Sequence, residues 1–230
     1  MDKPKHRNTN LELFRVITML LIIAHHYVVN SGLVSAGSPV LADPMSRRSL
    51  FLLLLGAWGK TGINCFVLIT GYFMCKSSIS AKKFFKLYFT IVFYYLVIHS
   101  IFGVTGYNRF SWQEAFRMMI PFVYVADGFA PAFLLFYLCI PFLNLLLQNL
   151  SQRMHVYLLV FLFCLYVIPG TLRFVFFVQM NYVSWFVVLY FLAAYVRIYP
   201  NSFLKIRNFG ESAVCAVWLS ARFPLLPAPG

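Results

Sequence analysis

The stretch LELFRVITMLLIIAHHYVVNSGL, residues 11–33, decides the fold. It is long enough to cross a membrane, because a transmembrane helix needs about 20 predominantly apolar residues. It is too long for the core of a signal peptide, and no small-residue cleavage site follows at the right place. The sequence therefore predicts that this run stays in the protein as a membrane anchor.

The rest of the chain has the same apolar character. Of its 230 residues, 61% are hydrophobic and only 11% are charged, whereas a soluble domain has about 25% charged residues. We therefore predict an all-α, polytopic transmembrane bundle of about six spans. After the first run, the apolar segments cover residues 50–74, 84–104, 132–147, 155–168 and 183–198.

Local features modify some of these spans. Polar and glycine residues interrupt the second span between residues 56 and 64, which predicts a broken or partly re-entrant helix. Pro141 predicts a kink in the fourth span, and Pro169 predicts the end of the fifth. The stretch TGYNRFSWQEAFRMM, residues 105–119, predicts an amphipathic helix lying at the membrane interface.

The chain is strongly basic, with 19 Lys and Arg against 6 Asp and Glu and a net charge of +13. These residues lie mostly in short segments between apolar stretches, as the positive-inside rule requires, which argues against a nucleic-acid partner. More of them fall on the inner side if the N-terminus is cytoplasmic, although Arg47 and Arg48 argue the other way. We predict a cytoplasmic N-terminus.

Neither a metal site nor a carboxylate pair is predicted. The cysteines form no CxxC or Cys/His metal spacing and are interpreted as buried free thiols. They are Cys65, Cys75, Cys139, Cys164 and Cys215. The acidic residues are scattered at segment ends and in loops, so no acid and base pair of carboxylates can be assigned.

Two ionisable residues in the first span indicate a functional site, because such groups are costly in a membrane. Arg15 and His26 are eleven positions apart, which puts both on one helix face, about 16 Å apart along the axis, with His25 about 80° away. Asn30, one turn beyond His26, could hydrogen-bond the imidazole and fix its tautomer. Two alternatives stay open: Arg15 could be an interfacial anchor paired with Glu12, and His26 could be bonded inside a helix bundle.

The Arg15 and His26 pair, together with three motifs that follow it along the chain, resembles the membrane-bound acyltransferase-3 family of bacterial O-acyltransferases. The first helix of that family carries a basic residue, ten intervening positions and a histidine, as Arg15 and His26 do here. FVLITGYF, residues 66–73, is similar to its F-F-V-L-S-G-[FY]-L segment, and SWFVVLYFLAAYVR, residues 184–197, is similar to a later span. A basic cluster leads into the helix after residue 73 and consists here of Lys82, Lys83 and Lys86.

The resemblance implies a multi-pass O-acyltransferase of the bacterial plasma (inner) membrane. It would move an acyl group, expected to be acetyl, from acyl-CoA to a hydroxyl of a cell-envelope polysaccharide or its lipid-linked precursor. No metal is implied, and the partners are membrane lipid, the acyl-CoA donor and the glycan acceptor. His26 would be the catalytic base and Arg15 would contact the donor. The phosphates of the donor would be bound by Lys82, Lys83 and Lys86.

Other interpretations accompany this one. The lysines could simply form a positive-inside loop, and Thr70 and Gly71 are expected to serve helix packing rather than catalysis. The competing function is non-enzymatic, either a polysaccharide transporter or an inactive fragment of the enzyme. Because family members are generally longer, residues 1–209 are interpreted as a partial, C-terminally truncated acyltransferase domain and residues 210–230 as an atypical tail or incomplete helix. The oligomeric state is not predicted.

Overall fold

The structure of the chain is a computed structural model that describes residues 9–35, 37–122, 128–168 and 181–200. Within these residues every regular element is a helix, which confirms the all-α prediction. The helices are α1 (Thr9–Asn30), α2 (Pro39–Ala42), α3 (Arg47–Ala57), α4 (Gly59–Met74), α5 (Ala81–Val104), α6 (Trp112–Met119), α7 (Phe129–Asn149), α8 (Gln152–Tyr166) and α9 (Tyr182–Ile198).

The apolar helices occur where spans are predicted. In the described part of the chain, four helical segments are long and apolar enough to cross a membrane: α1, α3 together with α4, α5 and α7. Helices α8 and α9 are apolar but shorter. The prediction of a multi-pass, all-helical membrane protein is confirmed, while the number of crossings and the side of the N-terminus stay predictions.

The second span is broken at a single residue. Helix α3 ends at Ala57, Trp58 has φ −88° and ψ 2°, and α4 begins at Gly59. The two helices still form one apolar segment of 28 residues. The interruption predicted for residues 56–64 is therefore a local break in a spanning segment.

The structure also bears on the predicted amphipathic helix and on the two prolines. The amphipathic helix predicted over residues 105–119 is shorter than expected, because only Trp112–Met119 is helical. It begins after Ser111, whose hydroxyl accepts a hydrogen bond from the Glu114 N–H at 3.4 Å. Pro141 lies inside α7, whereas Pro169 and the proposed boundary at residue 209 lie outside the described residues.

The chain divides into two units, one of residues 1–70 and 196–230 and the other of residues 71–195. In the second unit, aromatic side chains of α7 and α9 form much of the buried core. The rings of Phe136 and Phe186 lie 5.7 Å apart, edge to face, and those of Phe136 and Tyr190 lie 5.8 Å apart. Such pairs add to the stabilisation that comes from burying their apolar area.

A polar cluster ties three segments of the second unit together. The side-chain amide of Asn144 donates hydrogen bonds to the carbonyl oxygens of Met74 (3.1 Å) and Ser77 (3.2 Å). The hydroxyl of Tyr190, a fully buried residue, donates to the Asn144 side-chain oxygen. Asn144 therefore links α7 to the last residue of α4 and to the loop that follows it.

Candidate functional site

Helix α1 carries the candidate site without interruption from Thr9 to Asn30. Its regular geometry puts Arg15 and His26 on one side, and both side chains are exposed in the structure. The side that packs against the protein carries the buried Thr18 and Val28. Arg15 and His26 therefore take no part in packing α1 against the rest of the chain.

Arg15 lies one helical turn after Glu12 on α1, and its side chain is exposed. An interfacial anchor and a contact with a ligand both fit this exposed position. The role of Arg15 therefore stays a prediction.

His26 has the partner that the sequence suggested. The Asn30 side-chain nitrogen lies 3.4 Å from His26 Nδ1, one helical turn away. The rings of His26 and His25 lie 5.7 Å apart, edge to face. The side chains of Asn30 and His25 therefore flank His26 on two sides, which restricts the directions in which its ring can turn.

His25 is a residue whose role the sequence did not reveal. Its Nδ1 lies 2.5 Å from the carbonyl oxygen of Gly56, in the last turn of α3. A carbonyl can only accept, so Nδ1 carries the proton and the Nε2 lone pair is left free in the neutral ring. His25 thus binds α1 to the end of α3, next to the break at Trp58.

Three glycines form the surface on which α1 lies. We call Gly56, Gly59 and Gly62 the glycine stripe, since their spacing of three residues puts them on one side of the broken span. A Cβ on Gly59 would overlap the imidazole of His25, and one on Gly62 would lie 2.9 Å from the Thr18 carbonyl oxygen. Small residues at this spacing let two helices approach closely. This spacing is the signal from which the close packing of α1 could have been predicted.

The lysine cluster, Lys82, Lys83 and Lys86, lies at the start of α5 in the second unit. All three side chains are exposed, and the Lys83 ammonium donates to the Ser78 carbonyl oxygen at 2.9 Å. The N-terminus of a helix is the positive end of its dipole, so cations there are not favoured by the helix itself. The three lysine side chains together form a strongly positive surface that attracts anions.

Thr70 and Gly71 have the contacts of packing residues. The Thr70 hydroxyl donates to the Phe66 carbonyl oxygen at 2.9 Å, within α4. A Cβ on Gly71 would lie 3.0 Å from the Cβ of Ala193, so α9 approaches closely at this point. These contacts favour a structural role for both residues.

The cysteines differ in exposure more than the sequence suggested. Cys65 is buried, but Cys164 is exposed on α8, and the four cysteines of the described residues form no disulfide bond with one another. Cys215 lies outside the described residues. Within the part of the chain that the structure describes, no group of three or more His, Cys, Asp or Glu side chains could hold a metal ion.

The comparison with protein families identifies the class of protein. A family model described as an acyltransferase domain, that of the acyltransferase-3 family, matches residues 8–227. No curated protein and no solved structure matches the chain. The match includes α1 with Arg15 and His26, the segment with Thr70 and Gly71, and the lysine cluster. The chain therefore belongs to the acyltransferase-3 family and is a membrane acyltransferase.

Proposed function

We propose that this acyltransferase moves an acyl group, expected to be acetyl, from acyl-CoA to a hydroxyl of a cell-envelope polysaccharide or its lipid-linked precursor, in a bacterial inner membrane. Family membership supports acyl transfer. One observation carries the assignment of residues: α1 presents Arg15 and His26 together on a side that it does not use for packing.

The reaction needs a base for the acceptor hydroxyl, and imidazole is suited because it titrates near neutral pH. His26 takes the hydroxyl proton while the oxygen attacks the thioester carbonyl carbon. The tetrahedral intermediate then collapses, the carbon–sulfur bond breaks, and the leaving thiolate takes the proton from the imidazolium. The products are the ester and free coenzyme A, and His26 returns to its neutral form.

The contact between Asn30 and His26 sets a condition on this mechanism. With the Asn30 amide nitrogen facing Nδ1, the His26 proton resides on Nε2 and that nitrogen cannot act as a base. Turning the amide about its Cβ–Cγ bond brings its oxygen to Nδ1, which then carries the proton and frees the Nε2 lone pair. Asn30 is therefore proposed as the residue that selects the reactive tautomer.

The cationic groups serve the donor in this proposal. Coenzyme A carries several phosphate charges, and clustered ammonium groups bind phosphate through charge-assisted hydrogen bonds. The exposed lysine cluster supplies three such groups within two turns of α5. The guanidinium of Arg15 can bind a further oxygen of the donor or of the reaction intermediate.

His25 is a second candidate base, because its hydrogen bond to Gly56 leaves Nε2 unprotonated. We assign it to positioning, since its ring packs against Gly59 and links α1 to α3. The substitution His25→Asn separates the two roles. An asparagine amide can still donate to the Gly56 carbonyl but offers no basic nitrogen.

The test measures the acyl content of the host glycan in cells that express each variant at equal membrane levels. His26→Ala should lower acyl transfer by about 10²–10⁴-fold, the usual contribution of a general base, and Arg15→Ala should also impair it. His25→Asn should remain active. Leu20→Ala, at an exposed apolar position of the same helix, is the matched control and should have no effect.

Three experimental results would contradict parts of this proposal. Full acylation by His26→Ala at a normal protein level would refute the assignment of the base. Loss of activity in His25→Asn, with activity retained in His26→Ala, would move the base to His25. Glycan acylation that is unchanged when the gene is deleted would refute the choice of acceptor.

A further inference from the structure

After α5 the chain turns back along the same helix. A Cβ on Gly103 would lie 3.1 Å from the Phe110 Cβ, so the return begins in close contact with the last turn of α5. One turn earlier in α5, the Nε2 of His99 lies 3.2 Å from the Ser111 carbonyl oxygen. Ser111 is the N-cap residue immediately before α6.

The C-terminal end of α6 lies near the N-terminal half of α5. The Tyr88 hydroxyl donates to the carbonyl oxygen of Met119, the last residue of α6. The ring of Phe122 stacks on that of Tyr88, 5.8 Å between centroids, and lies 6.0 Å from that of Phe84. From His99 to Tyr88, α5 rises by about 16 Å. The segment from Ser111 to Met119 therefore runs antiparallel to α5, and the α5 residues that it contacts span about half of a membrane thickness.

Because α5 is itself a candidate span, these contacts change the position expected for α6. We propose that α6 is a re-entrant helix embedded in the membrane beside α5, and that its polar flank lines a water-filled passage for a phosphate-bearing substrate. The ligand part of this inference rests on the proposed function. The amphipathic pattern of residues 105–119 led us to expect a helix at the interface, but the contacts with Tyr88 lie too far along α5 for that position.

The two flanks of α6 differ in chemistry. The side facing α5 is marked by the buried Ala115 and by Glu114, whose carboxylate lies 3.8 Å from the His99 ring. Of the remaining surface, one flank carries Gln113 and Arg117. The other, about 110° around the helix, carries the apolar and exposed side chains of Trp112, Phe116 and Met119.

At a position inside the membrane, the apolar flank and the polar flank of α6 need different surroundings. Apolar side chains are stable against lipid, whereas a charged group within the membrane must face protein or a water-filled cavity. Gln113 and Arg117 are both exposed rather than packed inside the chain, so an aqueous passage is the environment that suits this flank. A guanidinium there can bind phosphate oxygens in pairs, and both coenzyme A and a lipid-linked glycan precursor would supply such oxygens.

The depth of α6 can be measured with nitroxide labels. Phe116→Cys is compared with Phe93→Cys and Val104→Cys of α5, and the spectrum of the equally labelled parent chain is subtracted. Phe116 and Phe93 are matched in chemistry and exposure, at 64% and 60%. We expect Phe116 to lie within about one turn of Phe93 in depth, and about 16 Å below Val104. A depth equal to that of Val104 would place α6 at the interface and overturn the proposal.

The polar flank is tested independently of enzyme activity. Gln113→Cys should react with a charged, water-soluble thiol reagent in membrane vesicles, and Phe116→Cys should not. Equal reactivity at the two positions, whether high or low, would exclude a passage on one flank. This result stands even if the parent chain transfers no acyl group, in which case only the proposed function fails.

Steady-state kinetics of Arg117 variants test whether this side chain binds phosphate. Arg117→Gln should raise the KM of the phosphate-bearing substrate about tenfold, and Arg117→Lys should restore part of it, because ammonium also binds phosphate. Arg109→Gln, in the loop before α6, is the control. A raised KM for acyl-CoA identifies the donor as the ligand, and a raised KM for the acceptor identifies the lipid-linked glycan. Unchanged KM values for both would refute phosphate binding.

Discussion

Replacing Gly59 with alanine should destabilise the first unit, although alanine is the better helix former. The added methyl group would overlap the imidazole of His25. To make room, the ring must leave its place and give up its hydrogen bond to the Gly56 carbonyl oxygen. The substitution therefore tests whether α1 is held by a histidine wedged against the glycine stripe.

The magnitude follows from three terms. Overpacking costs about 1–3 kcal/mol, and losing the hydrogen bond costs about 0.5–1.5 kcal/mol. The helix propensity of alanine returns about 1 kcal/mol. The net loss in free energy of unfolding is about 2 kcal/mol, which shifts the unfolding equilibrium roughly 30-fold. Denaturant titration of the detergent-solubilised protein, followed by circular dichroism, measures this loss.

The effect should be smaller when the His25 ring is removed. In a His25→Ala background the new methyl group meets no ring but would still lie 2.4 Å from the Cβ of residue 25, so Gly59→Ala should remain destabilising by a smaller amount. Ala57→Leu, on the exposed side of the same break, adds more volume and should change little. An equal effect of Gly59→Ala in both backgrounds would refute the wedge.

Three further predictions concern the second unit. Asn144→Ala should lower the free energy of unfolding by about 2–3 kcal/mol, because it removes the partner of the buried Tyr190 hydroxyl and the hydrogen bonds to the Met74 and Ser77 carbonyls, of which Met74 keeps the Ser77 N–H. Adding Tyr190→Phe should recover part of this loss in denaturant titrations. Gly71→Ala should destabilise by about 1 kcal/mol through its close contact with Ala193, and Ala193→Gly should offset that loss in the same titration. Changing the lysine cluster to glutamine should raise the KM for acyl-CoA and weaken its salt dependence, with little change in kcat, as steady-state kinetics at two ionic strengths would show.

The sequence by itself determined the class of protein and the positions of its apolar helices. Lipid offers no hydrogen bonds to the backbone, so long apolar segments must satisfy their own N–H and C=O groups and become helices wherever they occur. The common side of Arg15 and His26 also follows from local geometry, since it requires only that α1 be regular. The hydrogen bond from Asn30 to His26 spans four residues and could be predicted for the same reason.

Only the tertiary structure decided which histidine holds α1 and which part of α5 the helix α6 contacts. His25 meets Gly56 across 31 positions, and Asn144 reaches Met74 across 70. The amphipathic pattern of α6 is compatible with lying at the interface or with entering the membrane, since both environments offer one polar and one apolar side. Its contacts with Tyr88 and His99 of α5 support the embedded position that we propose. Contacts between distant residues depend on how helices approach each other, which helical periodicity alone cannot specify.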